Sequence, residues 1–384
     1  MDPSEFARSA SGRVVRAGGH WAFVPNPLPP CIESDWGLAD RLADANRALG
    51  ELAGLARNLP NPHLLIGPFA RREAVLSSRI EGTQASLAEL MLSEGAHMPQ
   101  ADVREVANYV RALEHGLAGL HVLPLSLRLI REMHAVLMEG VRGGHATPGE
   151  FRRSQNWIGP PGSTLASATY VPPPVPDMLE ALTQFEGYLH SPNRYPALIR
   201  VALAHYQFEA IHPFLDGNGR IGRLLILLML CHNGLLSQPI LYLSAYFERQ
   251  RQRYYELSLS VSREGKWGEW VDYFLTGVAE QSRDAIVRAG QLLDMWQEYR
   301  TWLSKARSAG ALMRLVDGLF ELPVTTISRA AKLLGVTHRA ASQNVHKLVA
   351  AGILTVASGR ERNRAFVAQR VLAIIERPGD RPGE

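Results

Sequence analysis

Residues 211–223 read IHPFLDGNGRIGR, and residues 224–231 follow at once as an unbroken apolar run. A loop opening directly into a buried helix leaves backbone N–H groups unpaired at a positive dipole end, which suits an anion. Gly217 and Gly219 let the backbone approach a phosphate and tolerate the positive φ of an anion-binding nest. Asn218 adds an uncharged amide donor. Arg220 and Arg223 stand three apart, so both lean towards one helix face, and a guanidinium grips phosphate oxygens with two prongs. Asp216 is a hard oxygen ligand of the type Mg²⁺ takes beside substrate phosphates. His212 can accept a proton near neutral pH. The set reads as phosphoryl or nucleotidyl transfer, with His212 as base, Asp216 as metal anchor, and nest and arginines stabilising charge. The plainer alternative is a turn with a packed histidine and a solvated basic helix start, since Asp-Gly and Asn-Gly are common hairpin turns.

The run His212-Pro-Phe-Leu-Asp216-Gly217-Asn218-Gly219-Arg220-Ile-Gly-Arg223 resembles the complete signature of the Fic (Fic/Doc) family, His-x-Phe-x-Asp/Glu-Gly-Asn-Gly-Arg-x-x-Arg, with every fixed position present. The resemblance implies a mainly α fold, a Fic-type helical bundle. It implies transfer of AMP from ATP to a Ser, Thr or Tyr hydroxyl of a target protein. By the same resemblance His212 deprotonates that hydroxyl and Asp216 holds Mg²⁺. Gly217, Asn218 and Gly219 would cradle the α-phosphate, and Arg220 and Arg223 would orient the β- and γ-phosphates.

Upstream, Leu42, Ala45, Leu49, Leu52 and Leu59 recur at helical spacing and predict a helix over 38–59, ended by Pro60 and Pro62. A second helix is expected over 68–80, stopping at Gly82. Ser77 and Glu81, four apart, share its face. Read plainly this is a glycine-capped C-terminus, where an acid is slightly misplaced against the dipole. Beside the signature, Ser77-Ser-Arg-Ile-Glu81-Gly82 resembles the family's inhibitory motif, Ser/Thr-x-x-x-Glu-Gly/Asn. That implies a helix laid against the active site with Glu81 paired to Arg223, so that ATP would bind unproductively.

Residues 1–37 read as irregular, kept extended by Pro25, Pro27, Pro29 and Pro30 and pinned to the body by Trp21 and Phe23. Helices are expected over 102–119 and 126–140. Thr169, Tyr170 and Val171 favour a strand and residues 159–162 favour turns, so a β-hairpin flap is expected as the one sheet of the catalytic part. In the family such a flap registers the target peptide by strand pairing. Helices over 176–190 and 195–210 frame the signature, with His205 as a core or supporting residue. Tyr254 or Tyr255 would stack on adenine or simply pack, Trp267 and Trp270 pack in the core, and a helical segment over 270–309 leads to a last module.

From Val324 the pattern changes. Ile327, Ala330, Ala331 and Leu334 make one apolar face, ended by Gly335; a second helix from Thr337 buries Ala341, Val345 and Leu348. A strand from Gly352, a turn at Ser358-Gly359 and a return over 364–367 follow. This resembles a C-terminal winged helix-turn-helix. Arg339, Gln343, Asn344 and Lys347 are expected outward on the second helix, and Arg360, Arg362 and Arg364 at the wing tip, where they would contact phosphates and base edges of DNA. A protein partner is the other use of such a module.

The charge distribution agrees. Residues 311–384 hold eleven Lys/Arg against six Asp/Glu, or +5, while the remainder holds thirty against thirty-one, or −1. The expected organisation is an N-terminal extension with an inhibitory helix (1–100), a catalytic domain (101–280), a helical linker (281–310) and the winged helix (311–384). Cys31 and Cys231 are far apart, so neither a disulfide framework nor a zinc site is indicated. Asp2 and Glu5 sit where a signal peptide would be basic, and the longest apolar run is too short for a bilayer. A cytoplasmic protein without membrane contact is expected, and the resemblance implies a homodimer. Three rival readings are transfer from another donor, AMP removal with Glu81 acting on water, and a DNA-binding regulator in which the signature only senses nucleotide.

Overall fold

The computed structural model describes residues 1–33, 35–57, 63–95, 101–141, 147–192, 194–304, 309–357 and 364–377. After a short 3-10 turn at Pro3–Glu5 comes a hairpin, β1 (Gly12–Ala17) paired antiparallel with β2 (His20–Pro25) across Gly18 and Gly19, both at positive φ. This corrects the expectation of an irregular start. A two-glycine turn with positive φ at both positions matches the twist of the flanking strands. Phe23 is fully buried and packs with Phe6 and Tyr170, ring centroids 5.6 to 6.2 Å apart. Trp21 does not pin the segment. It sits beside the turn, 38% exposed, with the Arg16 guanidinium 5.7 Å from its ring centroid.

A mainly helical body follows. The first helices are α1 (Trp36–Arg57), α2 (His63–Ile80), α3 (Leu87–Gly95), α4 (Ala101–Gly119) and α5 (Leu127–Leu137). Next come α6 (Val175–His190), α7 (Ala197–Ile211), α8 (Asn218–His232), α9 (Ser244–Arg249), α10 (Arg251–Glu264) and the long α11 (Trp267–Leu303). α1 lies along α11, α4 against α5, and α7 against α8. The α7–α8 pair forms the centre: α7 is buried on almost every face, and α8 is buried continuously from Arg220 to Leu230. A helix apolar all round has no solvent face to offer, which drives it to the middle of the body. α2 begins five residues earlier than expected and carries Pro68 inside it. Burial of Leu64, Leu65 and Phe69 outweighs the hydrogen bond that Pro68 cannot donate.

The expected flap hairpin is reduced to one antiparallel bridge, Ile158 to Tyr170, with N···O distances of 2.9 and 3.0 Å. One backbone and one side-chain anchor replace a ladder there: the Phe23 N–H donates to the Val171 carbonyl and the Tyr170 hydroxyl to the Ala210 carbonyl, both at 2.9 Å.

The C-terminal part comprises α12 (Ala309–Glu321), β3 (Val324–Thr326), α13 (Ile327–Leu334), α14 (His338–Ala350), β4 (Thr355–Val356), β5 (Ala365–Val367) and α15 (Gln369–Glu376). Thr326 and Thr337 cap α13 and α14 with their hydroxyls, and Gly335 ends α13 at φ +67°. The three strands form an antiparallel sheet in the order β3-β5-β4. Asn344 does not face outward; it is 8% exposed, because it shares the inner face of α14 with Ala341, Val345 and Leu348. α12 and α15 pack on α2, which ties this part to the body. Among the described residues, no helix is long and apolar enough to cross a membrane.

Candidate active site

The 211–223 stretch forms the turn from α7 into α8. His212 ends α7 in the left-handed region, φ +49° and ψ +60°, which is unusual for a residue other than glycine. Three buried groups hold that turn. The Arg152 Nε donates to the His212 carbonyl (3.0 Å), and its terminal nitrogens donate to the Ser154 and Pro173 carbonyls (3.2 and 2.5 Å). Asn156 Nδ2 donates to the Phe214 and His212 carbonyls at 2.8 and 3.2 Å. Asn218 closes the loop from inside: Oδ1 accepts from the Phe214 N–H and Nδ2 donates to the Phe214 carbonyl, both at 2.8 Å. Its amide is thus engaged with the loop, and what α8 offers an anion is the row of N–H groups in its first turn.

His134, on α5, stacks on Phe214 with ring centroids 3.7 Å apart and planes 5° apart. Its Nδ1 accepts from the Gly149 N–H, so its Nε2–H donates to the Asp216 carbonyl. Burial lowers the pKa of His134 to about 4, which keeps this tautomer neutral. His212 has the opposite arrangement: Nδ1–H donates to the Glu209 carbonyl at 3.2 Å, leaving the Nε2 lone pair to the cavity that His212 lines. Burial lowers its pKa also to about 4. The imidazole is therefore an unprotonated acceptor at neutral pH.

Two arginines come off α8. Arg220 pairs with Glu105 of α4 (3.4 Å) and with Asp216 (3.3 Å), and its buried Nε has no protein partner among the described residues. Glu105 also accepts from the Thr83 hydroxyl at 3.1 Å, which joins the turn after α2 to α8. Arg223 is 3% exposed and meets α2: Nε donates to the Ser77 hydroxyl (2.7 Å), and one terminal nitrogen donates to the Ser77 carbonyl (3.0 Å) and Glu81 Oε1 (2.6 Å). Burial acts to raise the Glu81 pKa, but the neighbouring Arg223 charge and hydrogen bond outweigh it and hold the carboxyl below its usual range. Burial likewise acts to lower the pKa of Arg223, and Glu81 reverses that. A Cβ on Gly219 would collide with Glu81 Oε1, so a larger residue here would push the Glu81 carboxylate from its place.

Glu73, one turn before Ser77, accepts from the Tyr109 hydroxyl (3.2 Å) and from the Ser244 hydroxyl and N–H (2.5 and 3.2 Å). Glu73 and Ser77 on α2 and Glu81 in the turn just after it follow one another at four-residue spacing on the side that faces Tyr109 and Arg223.

These groups border an open cavity of about 640 Å³, lined on one side by Glu81, Glu209, His212, Gly219 and Arg223 and on the other by Ile158, Tyr254 and Tyr255. That volume suits a nucleotide-sized ligand. Tyr255 is 45% exposed at the rim, whereas Tyr254 is buried and donates to His205 Nε2, since His205 Nδ1–H donates to the Gly222 carbonyl. His205 is the supporting residue expected, and Trp267 and Trp270 are core. Glu209 has a buried Oε1 without a protein partner among the described residues, and burial raises its pKa to about 8.

The sequence-expected residues His212, Asp216–Arg220, Arg223, Ser77 and Glu81 come together at this site, with Gly82 at φ +101° ending the turn after α2. Arg152, His134, Asn156, Glu105, Glu73 and Glu209 were not expected, and no spacing in the sequence marks them. Arg339, Gln343 and Lys347 are exposed along α14, and Arg364 is exposed before β5; Arg360 and Arg362 lie outside the described residues.

Family models described as "Fic/DOC family N-terminal" and "Fic/DOC family" match residues 39–118 and 124–230. The protein named Protein adenylyltransferase Fic from Drosophila grimshawi is 31% identical over 198 residues, which cover 50% of this chain and 36% of that protein. Its namesake from Drosophila virilis is 33% identical over 168 residues, 42% of this chain and 30% of that protein. The chain thus spans about a third of the length of the curated relatives it matches. A solved Fic family protein from Desulfovibrio desulfuricans G20 has a TM-score of 0.57 at 17% identity, over 89% of this chain and 98% of that one. Fic-1 from C. elegans has a TM-score of 0.51 at 22% identity, over 67% of this chain and 74% of that one. At these identities the likeness is one of fold.

Proposed function

From the premise that the chain belongs to the Fic/DOC family, we propose that it transfers AMP from ATP to a Ser, Thr or Tyr hydroxyl of a protein, itself included. We further propose that Glu81 restrains this activity by occupying Arg223. The observation that carries the reading is the neutral His212, its Nδ1–H tied to the Glu209 carbonyl and its Nε2 open to the cavity beside the α8 N-terminus. Nε2 takes the proton of the target hydroxyl as that oxygen bonds to the α-phosphorus. The bond from this phosphorus to the bridging oxygen of the β-phosphate breaks, and pyrophosphate leaves. The first-turn N–H groups of α8 receive the α-phosphate, and Arg220 and Arg223 receive the phosphates beyond it.

Asp216 is the residue that would hold Mg²⁺. Its side chain is 57% exposed, and among the described residues no group of three or more His, Cys, Asp or Glu could cage a metal. One exposed carboxylate suits an ion that arrives with the nucleotide's own phosphate oxygens. When bound, the ion would neutralise phosphate charge.

A second reading is contact with duplex DNA through a winged-helix arrangement in the C-terminal part. Residues 327–350, the α13–α14 pair, hold Arg329, Lys332, Arg339 and Lys347 and no Asp or Glu. Arg339, Gln343 and Lys347 recur every four residues along the exposed face of α14, the pattern of a helix that lies in a groove. Retention of labelled duplex that weakens steeply with salt would support it, and no retention at low salt would remove it.

The experiment for the main reading uses α-labelled ATP with Mg²⁺ and three proteins: the native chain, Glu81→Gly, and Glu81→Gly with His212→Ala. Strong self-labelling in the second, weak in the first and none in the third is expected. No label in any of them, with ATP bound, would overturn the reading in favour of another donor, AMP removal or nucleotide sensing.

A further inference from the structure

The helix that carries Glu81 is also gripped on its other side. We propose that Arg288 is a positioning residue which, through Asp284 and Arg72, couples the C-terminal helix α15 to α2 and so holds Glu81 on Arg223. The proposal rests on the restraining role given to Glu81 above.

Arg288 lies on α11 and is 4% exposed. Its Nε and one terminal nitrogen donate to the Asp284 carboxylate at 2.7 and 2.8 Å. The rest of the guanidinium caps α15: it donates to the carbonyls of Ile374 (2.5 Å), Ile375 (3.3 Å) and Arg377 (2.6 Å). Carbonyls at a helix C-terminus lack intrahelical partners and form the negative end of the dipole, so they suit a buried cation. Asp284 in turn lies 3.6 Å from Arg72 of α2, and burial lowers the pKa of Arg72 to about 10.

One carboxylate therefore stands between two largely buried guanidinium groups. The remaining donors of Arg288 are taken by the end of α15, and Glu73 adds negative charge near Arg72. Arg288, anchored on the α15 carbonyls, fixes the Asp284 carboxylate with two hydrogen bonds and so presents it to Arg72; if α15 lost its place, or Arg288 its charge, Asp284 would be released and its hold on Arg72 weakened. The element that loses its tether is then α2, which carries Arg72. The next residue, Glu73, begins the series through Ser77 to Glu81 that reaches Arg223. α2 also abuts α12 so closely that a Cβ on Gly67 would lie 3.0 Å from the Glu321 carbonyl oxygen. Any ligand of the C-terminal part that displaces α15 would thereby ease Glu81 off Arg223.

The test uses the full chain with Arg288→Met, which keeps side-chain bulk without charge, and Arg288→Lys, each with and without Glu81→Gly. Hydrogen exchange reports on α2 independently of any activity. Arg288→Met is expected to speed exchange over residues 75–81 while α4 and α8 stay protected. It should also raise self-labelling about fivefold, at the low end of coupling between distant sites, and add nothing once Glu81 is glycine. Arg288→Lys, which keeps the charge, should fall between. Unchanged exchange in α2, or loosening spread equally over α4 and α8, would overturn the proposal. If Glu81→Gly alone gains no label, the restraining role of Glu81 fails, and the exchange result still decides whether Arg288 positions α2.

Discussion

Glu81 Oε1 lies 2.6 Å from a terminal nitrogen of Arg223, across 142 positions of sequence. The contact does not stand alone. Ser77, one turn earlier on α2, engages the Nε of the same guanidinium with its hydroxyl and a terminal nitrogen with its carbonyl. Three acceptors thus take up the Nε and one terminal nitrogen of this guanidinium, so it can meet a phosphate with its other terminal nitrogen but not with a two-pronged Nε edge.

Ser77→Ala removes one of the three and leaves the others. A hydrogen bond to a charged group is worth about 1.5–3 kcal/mol. Self-labelling from α-labelled ATP should therefore rise, by about tenfold and by less than in Glu81→Gly. Labelling equal to the native chain would count against the shared grip.

The pKa of His212 is lowered to about 4 by burial, from an ordinary 6.5. The imidazole is then neutral throughout the range from pH 8 to pH 6, and protonation sets in only as pH falls towards 4. In Glu81→Gly, the NMR resonance that disappears in His212→Ala should show no titration between pH 6 and pH 8. A midpoint near 6.5 would mean that the folded turn does not exclude water as its burial implies.

Arg152→Ala deletes the common donor to the His212, Ser154 and Pro173 carbonyls. Stranding these acceptors should cost about 3 kcal/mol, read as a fall in Tm, and should abolish labelling in the Glu81→Gly background. Arg152→Lys should not restore either, since an ammonium cannot span carbonyls placed around a planar fork.

Glu209 has a folded pKa raised to about 8, where an unfolded chain has an ordinary carboxyl near 4.5. Between those values the folded state binds the extra proton, so this group's contribution to stability is present at acid pH and is lost as pH rises towards 8. Glu209→Gln removes that dependence. Its Tm relative to the native chain should improve from pH 5 to pH 8, and an unchanged difference across that range would show that Glu209 is ionised in the fold.

Legibility in the sequence followed distance along the chain. The 211–223 stretch was readable because its parts sit within one turn and one helix start, where spacing alone decides which groups share a face. Ser77 and Glu81 were readable for the same reason on α2. The hairpin at 12–25 was also written locally, in two glycines between runs of strand-forming residues, and reading those residues as irregular overlooked a turn signal. Pro68 misled in the opposite direction, because burial of its neighbours overrode its local preference. The expectation for Asn344 follows its polarity, whereas its spacing, three after Ala341 and four before Leu348, puts it on the inner face.

The sequence by itself determined the chemistry available to this protein: a histidine, an acid, an amide, two glycines and two arginines ordered along a loop that becomes a buried helix. Local geometry needs no partner to impose that order. The tertiary structure alone decided that His212 is buried and neutral, that Arg152, Asn156 and His134 support its turn, and that α2 brings Glu81 onto Arg223. Those outcomes depend on side chains from segments far apart in sequence being packed into one low-dielectric space, where burial and the few available partners set each group's charge and direction.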